Sequence, residues 1–313
     1  MAATLTDAAD GPPTVIRLCG GPDADSLTAM QITSGAAQIA ADEHGSGEPA
    51  VLFMHAGVTD QRSWQHVVDR LPDHRCLTYD QRGYGRTTYE REDGWSGVGD
   101  AVAVLDAYDV DSAVVVGCSM GGRGSLHLAL THPERVRALV LIAPAVNGGP
   151  AEEYEPEVDA LSDAQDAAFE RGDLDEVNEI DAHVWLDGPL APRGRVGGAA
   201  RELFLDMNRI ALEAEDPGER GDGVEAWDRL GEIAVPTLLM IGELDLQYLK
   251  DNVAHAVAHL PDARLVELPG VAHLPQLEGD ERMISELAAF VAALRQDGRP
   301  RPGAESDVRT ADC

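Results

Sequence analysis

Six residues, Gly117-Cys118-Ser119-Met120-Gly121-Gly122, constrain this chain more than any other stretch. They follow an apolar run, Ala113-Val114-Val115-Val116, and precede Ser125-Leu126-His127-Leu128-Ala129-Leu130, which can form a helix. Strand, Gly-x-Ser-x-Gly and helix in that order make a nucleophile elbow, a turn sharp enough to strain the backbone of its central residue. Small neighbours let strand and helix approach. Ser119 then stands at a strand's carboxyl end, beside the positive end of a helix dipole. Cys118 is adjacent, but Ser119 holds the central slot, so Cys118 reads as a small packing residue.

The runs on either side say what kind of sheet holds this turn. Ala50-Val51-Leu52-Phe53-Met54, Arg75 to Tyr79, Val136 to Ile142, Pro236 to Ile241 and Arg264 to Leu268 are short and largely apolar, as strands buried on both faces require. Helical patterns separate them: Trp64, Val67, Val68 and Leu71 on one face, then Val98 to Tyr108, Asn252 to Leu260 and Glu281 to Leu294. The expected fold class is α/β, a mostly parallel doubly wound sheet. The alternation breaks after about residue 145, where an acidic, helix-prone stretch contains Ala160 to Arg171, Asp173 to Trp185 and Ala199 to Ala214. The expected organisation is an arm over residues 1–34 and a core over 35–145 and 232–295. A helical cap over 146–231 interrupts the core, and a disordered Pro-, Gly- and charge-rich tail fills 296–313. Within the arm, Val15 to Leu18 reads as a short strand; Ala37 to Glu43 reads as an edge strand.

Charge narrows the partners. The formal net charge is −32, and Lys250 is the sole lysine. Such a surface disfavours nucleic acid and anionic membranes, leaving a small-molecule substrate as the expected partner; homo-oligomerisation is compatible with it. Salt adaptation and a coding bias towards arginine both account for the composition. The four cysteines, Cys19, Cys76, Cys118 and Cys313, form no CxxC pair, so neither a zinc site nor a disulfide framework is expected. The start lacks a basic segment followed by an apolar one, and no apolar run reaches membrane-spanning length. The expected location is cytoplasmic.

A serine nucleophile needs a base and an acid to orient that base. Of the ten histidines, only His273 combines a position after the acid with a glycine-marked loop after a strand, Pro269-Gly270-Val271-Ala272-His273. His255 and His259 fall on a helix, and His127 and His132 in or beside the elbow helix, where they read as packing or surface residues. Asp245, in Gly242-Glu243-Leu244-Asp245 just after a buried strand, is the acid candidate, with Glu243 and Asp251 as rivals. Met120, the residue after the nucleophile, supplies one backbone N–H for an oxyanion hole.

Taken together, the His-x-Gly loop at His55, the loop Asp80-Gln81-Arg82-Gly83-Tyr84-Gly85, the elbow, the helical insert, Gly-x-x-Asp and the late Gly-x-x-His resemble the α/β-hydrolase superfamily over roughly residues 37 to 295. The nearest likeness is to its small serine hydrolases: esterases, enol-lactone hydrolases and cofactor-free haloperoxidases. The resemblance favours Asp245 as the acid and implies the chain order Ser119, Asp245, His273. It places Gly57 as the second oxyanion donor, with Val58 one register away, although Ala56 stands where such proteins usually have glycine. It also implies a structural His55 and a loop-bracing pair, Asp80 with Arg82. In the cap, Trp185, Leu186, Phe204 and Met207 are candidates for apolar pocket walls or for cap packing. The expected activity is hydrolysis of a carboxylic ester or lactone without metal or organic cofactor. Carbon–carbon hydrolysis or a biosynthetic rearrangement on the same residues is the alternative, as is a binding protein that turns over slowly.

Overall fold

The computed structural model describes residues 15–18, 29–152, 154–221 and 223–294. The expected tail, most of the expected arm, Cys19 and Cys313 lie outside these residues. The centre of the molecule is a sheet of β1 (Val15–Leu18), β2 (Ala29–Ser34), β3 (Ala37–His44), β4 (Val51–Met54), β5 (Cys76–Tyr79), β6 (Thr88–Tyr89), β7 (Ala113–Cys118), β8 (Val136–Ile142), β9 (Thr237–Gly242) and β10 (Ala263–Leu268). The order is β1-β2-β3-β5-β4-β7-β8-β9-β10, with β6 on β3. From β5 to β10 every pairing is parallel; β1, β2 and β3 run antiparallel.

The period-two geometry of a strand sends alternate side chains to opposite faces, and the central strands fill both. Leu52, Val115, Leu139 and Leu239 join one buried cluster, while Val51, Phe53, Val114, Val116, Val140 and Met240 join the other. Two helices, α2 (Gly97–Ala107) and α3 (Met120–Thr131), close the first face with Val104, Leu105, Leu126 and Leu128. The helix α1 (Gln65–Val68) covers the second with Val67 and Val68. Each central Val, Leu or Ile buried this way contributes about 1.5–3 kcal/mol, so the strand ends they anchor are fixed points for a site.

Two expectations change at the amino-terminal side. Val15–Leu18 is the short strand expected there, but residues 29–34, expected within an arm, form a sheet strand too: Met30 pairs with Ala41 and Ile32 with Ile39, and both Met30 and Ile32 are buried. Ala37 to Glu43 is therefore an interior strand, flanked by β2 and β5, not an edge. The signal was the alternation Met30-Gln31-Ile32-Thr33, too short to stand out from its polar surroundings.

After β8 the chain leaves the sheet for α4 (Pro156–Glu170), α5 (Leu174–Asp181), a π-helical turn (Ala182–Asp187) and α6 (Gly198–Glu213), and returns at β9. Then follow α7 (Gln247–His259), α8 (Pro275–Glu278) and α9 (Glu281–Leu294). Leu186, Phe204 and Met207 from the inserted helices share a buried cluster with Met283, Leu287 and Val291 of α9, while Val158 of α4, Ala226 and Leu230 join the cluster on the first face, so the insert packs against both. Among the described residues no helix is long and apolar enough to cross a membrane.

Candidate active site

The carboxyl ends of β4, β7, β9 and β10 converge on one edge of the sheet and deliver the residues singled out above. At the end of β7, Ser119 has φ 54° and ψ −113°, a left-handed backbone that is strained for a residue with a side chain. Its N–H donates to Ile142 O at 2.9 Å, its carbonyl accepts from Ala145 N, and it caps α3. The surrounding glycines are steric necessities. A Cβ on Gly121 would lie 2.0 Å from Met54 O, and one on Gly122 would lie 2.8 Å from Pro144 Cβ.

On the loops after β9 and β10, His273 Nδ1 donates to Asp245, at 2.9 Å to Oδ2 and 3.1 Å to Oδ1. Both side chains are 1% exposed. Leu246 N–H donates to Asp245 Oδ1 at 2.8 Å and fixes the carboxylate from its other side. The carboxylate can only accept, so the neutral ring carries its proton on Nδ1 and keeps Nε2 as acceptor. The Cys118 thiol donates to His273 O at 3.6 Å, which ties the His273 backbone to the residue before Ser119. Burial raises the Cys118 thiol far above its usual range and keeps it protonated. The rival acids are engaged elsewhere: Glu243 Oε2 accepts from Gly270 N at 2.8 Å, and Asp251 accepts from Gln247.

Gly57 follows β4 and lies beside Met120; a Cβ there would be 3.7 Å from Met120 Sδ. Among the described residues neither the Gly57 nor the Met120 N–H has a backbone carbonyl partner. His55 fixes this loop. Its Nδ1 donates to Ala56 O at 2.8 Å, its Nε2 accepts from Gln81 N at 3.0 Å, and Gln81 Nε2 donates to His55 O. Desolvation lowers the His55 pKa, and with both nitrogens committed the ring is a neutral brace.

Asp80 and Arg82 do brace loops, but not as a pair. Asp80 accepts from Gln61 N, Gln61 Nε2 and Arg86 N at 2.8–3.0 Å. Arg82 reaches the other way, donating to Asp100, Glu92 and Ser34 O. Two residues apart in a turn, the side chains diverge, and each finds the partner on its own side.

Of the four cap candidates, Trp185 stands against His273, with ring centroids 4.8 Å apart. Leu186, Phe204 and Met207 are wholly buried behind it. Beneath Trp185, Asp181 accepts from Gln165 at 2.6 Å and Asn208 at 2.8 Å, yet burial pushes its carboxyl up to about 6. Arg195 had no sequence signal and holds the insert to the His273 loop. It donates to Leu186 O, Asp187 O, Gly270 O and both Glu278 oxygens at 2.6–3.1 Å, and Glu278 in turn accepts from Ala272 N.

A mostly parallel sheet that presents a strained serine at the end of one strand and a carboxylate-bound histidine on the loop after another is the arrangement of an α/β hydrolase. The chain belongs to the alpha/beta hydrolase fold family, whose model matches residues 49–280. It is 28% identical to a putative 2-succinyl-6-hydroxy-2,4-cyclohexadiene-1-carboxylate synthase of Bacillus subtilis (strain 168), across 85% of this chain and 98% of that one. It is equally 28% identical to a 2-hydroxy-6-oxo-6-phenylhexa-2,4-dienoate hydrolase of Burkholderia cepacia, across 76% and 85%. Among solved structures, the N-acyl homoserine lactone degrading enzyme Est816 superposes with a TM-score of 0.64 at 27% identity, across 82% of this chain and 98% of that one.

Proposed function

We propose that the protein is a serine hydrolase that cleaves a carboxylic ester or lactone through a covalent acyl-enzyme. The observation that carries this reading is the buried His273–Asp245 hydrogen bond on the sheet edge where Ser119 is strained. His273 Nε2 takes the hydroxyl proton of Ser119 as Oγ bonds to the substrate's carbonyl carbon. The carbonyl π pair moves onto oxygen, and the N–H groups of Gly57 and Met120 hold that oxyanion. Collapse reforms the carbonyl and expels the alkoxide, which takes the proton from His273. Water, deprotonated by His273, then attacks the acyl-enzyme and releases the acid while Ser119 regains its proton. Asp245 keeps the base in the useful tautomer and stabilises its cation. Trp185 forms the wall above the base. These steps call on no metal and no organic cofactor.

The test is labelling with a fluorophosphonate together with a panel of p-nitrophenyl esters and lactones. Wild-type protein should be labelled at Ser119 and turn over members of the panel, and Ser119→Ala should do neither. Labelling at another serine, or full activity in Ser119→Ala, refutes the assignment. The likeness to the Burkholderia cepacia hydrolase favours one second reading, carbon–carbon cleavage of a 2-hydroxy-6-oxodienoate on the same residues. Turnover of that compound class with silence on esters and lactones would replace the first reading.

A further inference from the structure

Tyr84 has no part in the mechanism above, yet its hydroxyl is at the site. The loop after β5 turns back through Gly83 (φ 90°) and Gly85 (φ 50°), with Tyr84 N–H donating to Gln81 O and Thr87 N–H donating to Tyr84 O. A Cβ on Gly85 would lie 2.3 Å from the Asp80 carboxyl carbon, so the loop can close this tightly only around glycine. The fold thereby fixes where the ring goes. It stands edge-on to the His55 ring, 4.9 Å between centroids, which places it against the brace of the Gly57 loop.

The far end of the ring reaches the space that Gly57 leaves open. The Tyr84 hydroxyl is 3.7 Å from where a Gly57 Cβ would be, and Met120 Sδ and Cβ are 3.7 Å and 3.8 Å from the same point. Gly57 and Met120 are the two residues whose N–H groups hold the oxyanion in the reading above. Among the described residues the hydroxyl's hydrogen-bond partner is Met120 Sδ at 3.8 Å, a thioether and so a weak acceptor. A half-buried donor paired with sulfur is under-used. Burial also raises the phenol pKa, so the group stays protonated and keeps a hydrogen to give.

We propose that the Tyr84 hydroxyl is a third hydrogen-bond donor to the oxyanion formed on Ser119, alongside the N–H groups of Gly57 and Met120. The proposal rests on the serine-hydrolase reading. When Ser119 Oγ bonds to the acyl carbon and the π pair moves to oxygen, the Tyr84 O–H exchanges a thioether for an anionic oxygen. The gain comes mainly in the tetrahedral state, which is where a catalytic donor acts. It follows that Gly57 has a reason to be small: a large side chain there would separate the hydroxyl from the oxyanion position.

Tyr84→Phe removes one oxygen and leaves the ring on His55. The probe is a fluorophosphonate, whose phosphoryl oxygen gains negative charge in the same position as Ser119 Oγ bonds to phosphorus and before fluoride leaves, so no natural substrate is needed. The second-order labelling rate should fall by about 10-fold or more, since loss of one donor from such a site costs about 10²–10³ at most. Turnover of p-nitrophenyl butyrate should fall in parallel, with KM within about twofold because the ground-state carbonyl gains little from the donor. A melting temperature equal to wild type separates this from damage to the loop. Labelling and turnover both within about twofold of wild type would overturn the role of Tyr84 and leave the hydrolase reading standing. A wild-type protein that is not labelled at Ser119 would overturn both.

Discussion

Asp181 carries the site's most easily measured electrostatic cost. Its carboxyl is buried beneath Trp185, and burial raises its pKa from 3.8 to about 6 although Gln165, Asn208 and Trp185 favour the anion. The folded protein therefore binds this proton more tightly than the unfolded chain does. Stability from this group is present at low pH and is lost as pH rises from about 4 to about 6, the opposite of a salt-bridged carboxylate. A displacement of about two pKa units corresponds to about 3 kcal/mol over the full range, and about 2 kcal/mol falls between about pH 4.5 and about pH 7.5. Asp181→Asn cannot ionise. Its stability relative to wild type should rise by about 2 kcal/mol across that interval, since every other titrating group is common to both proteins. Urea unfolding of both at the two pH values measures this. A difference between the two proteins that stays constant within about 0.5 kcal/mol would mean that Asp181 is not desolvated as described.

Three further outcomes follow from geometry already given. Asp245→Asn should lower turnover about 10²–10⁴-fold with a much smaller change in KM, because the amide presents the wrong imidazole tautomer. Glu243→Gln and Asp251→Asn are the controls, and a collapse in either with Asp245→Asn near wild type would move the acid. Gly121→Ala should destabilise the fold by about 3 kcal/mol or more, because its Cβ meets the Met54 carbonyl at 2.0 Å; an unchanged melting temperature would contradict the elbow geometry. If the charge of −32 reflects salt adaptation, the melting temperature should climb steeply from low salt to molar KCl. A flat response leaves coding bias as the explanation.

What could be read from the sequence was local. Gly117, Gly121 and Gly122 announce a steric problem that only one turn solves, and the apolar run before them identifies the strand. Asp245 and His273 were visible because each stands just past a buried strand, with a glycine to mark the His273 loop. Separating Asp245 from Glu243 was a different matter: both flank the same loop, and only the geometry puts one on His273 and the other on Gly270 N–H. The misread pairing of Asp80 with Arg82 has the same cause, since side-chain direction in a turn is not encoded by spacing. Arg195 and Tyr84 were invisible for want of any periodicity. Their partners lie as far as 83 and 36 residues along the chain, and no pattern of neighbours reports contacts at that range.

The strands on either side of the cap are next to each other. β8 and β9 pair directly, with Leu139 opposite Thr237 and Ile142 opposite Met240, although about ninety residues separate the end of one from the start of the other. The ladder is complete beneath the insert and takes nothing from it. In evolutionary terms the insert is a cassette with both ends at one seam. A lineage can lengthen, shorten or exchange it without resetting the register that holds Ser119, Asp245 and His273 at their strand ends. The sheet and the insert can then change at separate rates, joined at several points: Arg195 on Gly270 O and Glu278, Trp185 on His273, Arg62 on Asp206 and Tyr89 on Glu215 O. Relatives with this core need share neither cap nor substrate, and a donor cap transplanted here needs to supply its own partners at each of these points, an equivalent of Arg195 among them.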